Sequence, residues 1–255
     1  MHRSARQTSI LQEVTERGSC SVNELAERLE VSDETIRRDL KPLIRDGVLH
    51  KVHGGVTLPD LYREPGFLNR MLSEAIEKQA IARAAAALVA DGETLMLDTG
   101  STTAYVARAL QGHRDLLVVT NSVDIARSLA TRNGNRVFMA GGLLRADDGA
   151  ALGPSAISFV EQFRVKTAIL SIAAIDAEEG LMNHHLEEAE FSRVVVERAE
   201  RIVVVADHSK FGRRALIHVL PLARIDFLVT DQPPPPPFER LLGEIGIQVV
   251  VTSTS

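Results

Sequence analysis

The sequence has a single cysteine, Cys20, among 255 residues. That excludes an internal disulfide framework and suits a reducing compartment. No apolar run is long enough to cross a bilayer. The first residues, with Arg3 and Arg6 among polar neighbours, lack the apolar stretch of a secretion signal. A cytoplasmic protein is expected. Nor is there a large charge excess: the net value of −5 excludes polyanion binding driven by bulk charge. Residues 1–58 carry nine basic and nine acidic side chains, against twenty and twenty-five in the remainder. A nucleic-acid face would therefore need local clustering of cations. Internal repeats are absent, and low complexity is confined to Pro233–Pro237, read as a stiff extended spacer before the last helix. The length suits one small and one larger domain, and 45% apolar with 25% charged residues is ordinary for a globular chain.

What the sequence does have is VSDETIRRDL, Val31 to Leu40. Ser32 is an N-cap residue, and Asp33 and Glu34 follow at the positive end of the helix dipole. Ile36, Leu40, Leu43 and Ile44 share one face, which leaves Thr35, Arg37, Arg38 and Lys41 on others. A major groove admits such a helix, and arginine reads guanine bidentately. Upstream, Ile10, Leu11 and Val14 make one face of a helix over residues 4–17 that Gly18 ends. Ser21 and Glu24 have capping-box spacing, with Leu25, Ala26 and Leu29 as the buried face behind them. Two short helices, a tight turn and a third polar-faced helix give a helix-turn-helix. Pro42 breaks the pattern, and a kink or early stop is expected near Asp39–Lys41, with Gly47 closing the segment. Alternation around Gly54–Gly55 in Val48–Val56 predicts a β-hairpin, a wing whose His50, Lys51 and His53 would reach backbone phosphate.

The run TIRRDL followed by HGG resembles the DNA-binding domain of the DeoR family of bacterial transcription regulators. The resemblance covers roughly residues 4–58. It implies that Thr35, Arg37 and Arg38 face DNA, with Ser32 and Lys41 beside them and Lys51 and His53 on the wing.

Residues 59–72, with two prolines and a glycine, read as a linker. An alanine-rich helix from Ser73 to about Ala90 comes next. Seven β-rich runs then alternate with helical stretches: TLMLD, LLVVT, RVFMA, AILSIA, RIVVVA, DFLVT and IQVVV. This predicts an α/β fold, a Rossmann-like and mostly parallel sheet over residues 73–255, behind a winged helix-turn-helix over residues 1–58. Ligands of such sheets bind outside the carboxyl ends of the strands. There the chain places DTGSTT at 98–103, TNS at 120–122, Gly141–Gly142, a strand running on to Asp176, and ADHSKFG at 206–212. Free N–H groups and the hydroxyls of Ser101, Thr102 and Thr103 favour an anion, and Gly100, Gly141 and Gly142 allow close backbone approach. The lysine and glycine spacing of a Walker loop are absent. Lys210 is placed to neutralise a phosphate.

DTGSTT, TNS, the glycine pair, AAID and VADHSKFG also resemble the DeoR-family sensor domain, whose fold is shared with ribose-5-phosphate isomerase. FVEQFR at 159–164, VADHSKFGR at 205–213 and TDQPPP at 230–235 resemble the branch that governs glycerol 3-phosphate metabolism. The resemblance implies a phosphorylated polyol or sugar as effector, glycerol 3-phosphate first among them. Ser101, Thr102 and Thr103 would meet its phosphate with Lys210 opposite. Asp98, Asn121, Asp176 and Asp207 would meet its hydroxyls. AAID is less glycine-rich than is usual in the family.

The expected function is a DNA-binding repressor controlled by that metabolite. It would act as a dimer or tetramer on repeated half-sites of double-stranded operator DNA. No cofactor, metal or catalysis is expected. His184 and His185 are adjacent and cannot share a helical face as a metal-binding pair four apart does. Two alternatives compete. One is a sugar-phosphate isomerase using Asp98, Asp176 or Asp207 as a base. The other is a winged helix that docks protein instead of DNA.

Overall fold

The computed structural model describes residues 5–17, 19–45, 48–52, 54–57 and 64–252. The chain divides into two compact units, Met1–Glu64 and Pro65–Ser255. No helix among the described residues is long and apolar enough to cross a membrane.

The first unit runs α1 (Ala5–Arg17), β1 (Ser19–Ser21), α2 (Val22–Arg28), α3 (Asp33–Arg45), β2 (His50–Val52) and β3 (Gly55–Thr57). Strand β3 lies between β1 and β2, antiparallel to both. The expected hairpin thus gains a third strand. Gly55 makes that possible, because a Cβ there would fall 2.2 Å from the Cys20 carbonyl oxygen. Ile10, Val14, Leu25, Ile36, Leu40, Leu49 and Val56 form a closed core. The expected stop near Asp39–Lys41 does not occur: α3 continues through Pro42 to Arg45. Proline removes one N–H and crowds the preceding turn, but its fixed φ is helical. Buried Leu40 and Leu43 hold the helix on both sides of it. Gly18 and Gly47, read as helix ends, lie outside the described residues.

The second unit opens with α4 (Phe67–Leu72) and α5 (Ala75–Ala87). Residues 67–72 are therefore helix and not linker. Phe67 is buried, and its N–H donates to both carboxylate oxygens of Asp147 at 3.1 and 2.9 Å, which fixes this segment to the sensor unit. Glu74, at φ 49°, separates α4 from α5. Next come β4 (Thr94–Leu97), α6 (Ser101–Ala109), β5 (Leu117–Thr120), α7 (Val123–Leu129), β6 (Arg136–Met139), α8 (Pro154–Val160) and β7 (Val165–Ser171). The chain ends with β8 (Ala174–Asp176), β9 (Gly180–Asn183), α9 (Leu186–Glu197), β10 (Ala199–Val205), β11 (Ile217–Leu220), β12 (Phe227–Thr230), α10 (Pro236–Ile245) and β13 (Gln248–Val251).

Seven strands form one sheet in the order β13-β12-β10-β7-β4-β5-β6, every pair parallel. Alternating residues feed two cores. Val203 and Val205 pack with α5, α6 and α7, whereas Ile202 and Val204 pack with α8, α9 and α10. Both faces are covered, as continuous apolar strands require. The seven β-rich runs are these seven strands. Two local expectations change. The fourth run stops at Ser171, and Ala174–Asp176 belongs to a separate antiparallel sheet ordered β11-β9-β8. The proline spacer is shorter than expected, because Pro236 and Pro237 begin α10, where a missing N–H costs nothing.

Candidate nucleic-acid interface and effector site

In the first unit, reciprocal hydrogen bonds between Ser21 and Glu24 start α2. Ser32 Oγ accepts from the Thr35 N–H at 3.3 Å and lies 2.9 Å from Thr35 Oγ1. Both hydroxyls are therefore engaged in starting α3. The ion pair of Arg6 with Asp39 ties α3 to α1, and Glu13 pairs with Arg17 and Arg28. Arg37, Arg38, Lys41 and Lys51 are exposed, and no carboxylate among the described residues pairs with them. The cations that the sequence marked for DNA are thus unneutralised, while cations elsewhere in this unit hold helices together. His50 is exposed on β2, and His53 lies outside the described residues.

In the second unit, the strand ends named from the sequence fall on one edge of the sheet. DTGSTT follows β4, and α6 begins at Ser101. Gly100 caps α6 without a side-chain hydrogen bond, so the first amides of the helix keep their positive end open. Thr103 Oγ1 donates to the Gly100 carbonyl at 3.1 Å, and Ser101, Thr102 and Thr103 are buried. A Cβ on Gly100 would lie 1.9 Å from Ser171 Oγ, so glycine sets how closely the turn approaches β7. Asp98 is buried and accepts from the Ser171 N–H at 3.1 and 3.2 Å. Burial, with the charge of Glu188 behind it, pushes its carboxyl well above the usual carboxylate range.

Asn121 follows β5. Its Nδ2 donates to the Ala151 carbonyl at 3.1 Å, and its Oδ1 is buried with no partner among the described residues. Gly141 and Gly142 follow the edge strand β6 and are exposed. Asp207 follows β10 and is buried, and its carboxylate accepts from the N–H and the hydroxyl of Ser209. Lys210 lies one turn on and is half-buried. Only β7 separates β4 from β10, which puts the two strand ends about 10 Å apart. Asp176 is placed differently. It closes the β8–β9 hairpin through the N–H groups of Glu178 and Glu179, both at 2.9 Å, and pairs with Arg214 at 2.7 Å. Burial raises its carboxyl, but the Arg214 hydrogen bond and charge and the Glu178 and Glu179 N–H groups together outweigh this and hold it below the usual range.

Sequence reasoning missed two features. Lys78, on α5, is buried, and its Nζ donates to the carbonyls of Arg70 at 2.5 Å and Ser73 at 2.8 Å. Burial lowers its pKa, and the charges of Asp207 and Lys210 also act on it. An ammonium that donates to two carbonyls keeps one spare N–H. The second is the loop 143–151. It bridges to Ser122 through Ala150 and carries Asp148, which accepts from the Thr99 hydroxyl at 3.1 Å. Arg145 joins Asp148 to Glu188 on α9. Burial works against the Asp148 charge, but hydrogen bonds from Arg145 and Ala150 hold its carboxyl below the usual range.

Residues 6–61 match the DeoR-like helix-turn-helix domain, and residues 73–232 match the DeoR C-terminal sensor domain. The chain is 35% identical over 249 residues to the glycerol-3-phosphate regulon repressor of Escherichia coli K12, across 98% of this chain and 99% of that one. It is 34% identical over 246 residues to the HTH-type transcriptional repressor CsqR of the same strain, across 96% and 94%. Among solved structures, ribose 5-phosphate isomerase A from Neisseria gonorrhoeae is 19% identical, with a TM-score of 0.39 over 54% of this chain and 53% of that one. Matched at both domains and along nearly its whole length, the chain belongs to the DeoR family of transcription regulators.

Proposed function

We propose that the protein is a transcriptional repressor whose winged helix grips operator DNA and whose sensor unit binds a small phosphorylated polyol or sugar. Glycerol 3-phosphate is the first candidate, because a relative 35% identical over nearly the full length is named for that regulon. One observation carries the effector half. The uncapped start of α6, buried Lys78 and Lys210 bring positive character to one edge of a sheet, beside Asp98, whose carboxyl burial pushes above the usual range. An anion of phosphate size satisfies all of these groups together. Asn121 Oδ1 is an acceptor without a donor and suits a hydroxyl of the same ligand. In this reading the protein is a regulator and not a catalyst. It works as a homo-oligomer, because one small reading head makes few contacts.

The test is thermal denaturation of the full chain with glycerol 3-phosphate, glycerol and inorganic phosphate. A ligand at 100 times its Kd stabilises by about 2.7 kcal/mol. A clear upward shift with glycerol 3-phosphate, absent with glycerol and lost in Lys210→Ala, is expected. No shift with any phosphorylated polyol or sugar would remove the effector assignment.

A further inference from the structure

Helix α3 and the β2–β3 hairpin enclose a groove of about 720 Å³. Arg37, Lys41, Arg45 and Lys51 line it, and no acidic side chain among the described residues does. Leu40, Ile44 and Val56 contribute an apolar floor. Arg38 is not among the lining residues. Angle round α3 and position along it together account for this, since Arg45 has nearly the same angle as Arg38 but lies two turns on. Ile36, Leu40 and Leu43 define the buried pole of α3. At about 100° per residue, Arg38 points nearly opposite that pole, whereas Arg37 and Lys41 lie roughly 90–130° round from it, on the hairpin side. Asp39 lies on the other flank and is held by Arg6.

The two arginines therefore have different surroundings. Reading a base edge takes donors and acceptors that enter the major groove head-on, and a helix lying there presents its outer pole. A hairpin beside such a helix meets the duplex across the adjoining backbone strand. The surface between them offers cations for phosphate oxygens and an apolar floor with nothing for a base to hydrogen-bond.

We infer that the groove between α3 and the β2–β3 hairpin seats one sugar–phosphate strand of the duplex, held by Arg37, Lys41 and Lys51, and that Arg38 reads bases. The occupant follows from charge: three exposed, unpaired cations on a surface with no acidic side chain among the described residues fit a polyanionic strand. The inference rests on the DNA-binding reading and deepens it by assigning separate roles to neighbouring residues.

The test uses the full chain, a duplex selected by it from a random library, and a shuffled duplex of the same composition. Affinities are measured across a salt series. Each lost phosphate contact flattens the log–log salt slope by about 0.9. Lys41→Ala with Lys51→Ala is expected to flatten it by about 1.8 and to weaken both duplexes by the same factor. Restoring charge with Lys41→Arg and Lys51→Arg recovers the slope. Arg38→Lys keeps the charge but loses the bidentate fork. It is expected to keep the slope and to lower the preference for the selected duplex by about 5- to 150-fold. An unchanged slope in the double variant, or lost preference there with preference intact in Arg38→Lys, overturns the strand assignment. A wild-type chain that enriches no duplex and shows no salt-dependent binding overturns the DNA-binding reading itself. All the changed side chains are exposed, and circular dichroism confirms that each variant is folded.

Discussion

Gly100 and Ser171 show how one missing methyl group shapes the effector edge. Alanine at 100 would place its Cβ 1.9 Å from Ser171 Oγ and 3.0 Å from Ser171 Cβ. The hydroxyl can rotate away, but the Cβ cannot move without β7. Overpacking of this kind costs about 1–3 kcal/mol. Gly100→Ala is expected to lower the melting temperature of the sensor unit and weaken any anion seated on α6. Adding Ser171→Ala removes the worse of the two clashes, so the double variant should recover part of the loss. A double variant that is merely the sum of the two singles would show that the residues do not collide. His208 supplies the pH dependence. Its Nδ1 lies 2.7 Å from a carboxylate oxygen of the buried Asp231. Burial lowers the histidine pKa, but that hydrogen bond and the charges of Asp231, Asp207 and Glu74 together outweigh it and the value is raised. A raised folded-state value gives stability that is complete below the unfolded value of about 6.5 and is lost as pH rises through the folded value. Denaturant midpoints should therefore fall as pH rises above about 6.5 and through the folded value, and His208→Gln should flatten that slope. A wild-type midpoint that stays constant over this range contradicts the assignment.

Among elements, α3 departs most from local rules, because Pro42 lies inside it. The Arg38 carbonyl loses the N–H that would reach it from residue 42, at a cost of roughly 3 kcal/mol relative to alanine. Proline also restricts the unfolded chain, which returns about 0.4–1 kcal/mol. Pro42→Ala should leave a net gain of about 2 kcal/mol, read as slower hydrogen exchange of α3 amides in the full chain. Faster exchange would mean that the ring contributes more through packing than its backbone effect costs. The same helix shows what local sequence conveys. Caps, apolar periodicity and the glycine-paired hairpin were legible because each depends on residues a few positions apart. The seven strands were legible as apolar runs, and the loops after β4, β5, β6 and β10 carry the glycine, hydroxyl or amide residues expected there. Elements fixed by distant partners were not legible. Helix α4 depends on Asp147, eighty positions away, and its proline-flanked stretch otherwise resembles a linker. Lys78 in an alanine-rich helix resembles any solvated lysine until Arg70 and Ser73 turn their carbonyls toward it. Asp176 follows an apolar run but serves a hairpin, because the carboxylate that answers Arg214 cannot be told in sequence from one that faces a ligand.

For the whole molecule, the proposed regulation means a coupling free energy between the DNA site proposed in residues 1–64 and the effector site proposed in residues 65–255. Such couplings are typically 1–3 kcal/mol, a change in affinity of about 5- to 150-fold. A metabolite shifts DNA affinity only if it binds DNA-competent and DNA-incompetent states differently. Linkage then makes a prediction that needs no knowledge of the route between the sites. Whatever factor saturating glycerol 3-phosphate imposes on duplex affinity, saturating duplex must impose on glycerol 3-phosphate affinity. Calorimetric titrations of each ligand with and without the other measure the two factors, and they should agree in size and sign. Lys78→Met removes a buried amine that has no carboxylate at ion-pair distance among the described residues and keeps an unbranched apolar stem in its place. It should leave the effector-free duplex affinity within about twofold and bring both coupling factors close to one. If Lys78→Met instead weakens duplex binding without effector and leaves the metabolite's influence intact, Lys78 belongs to the structural support of the sensor unit, and the anion site must be sought at Lys210 alone.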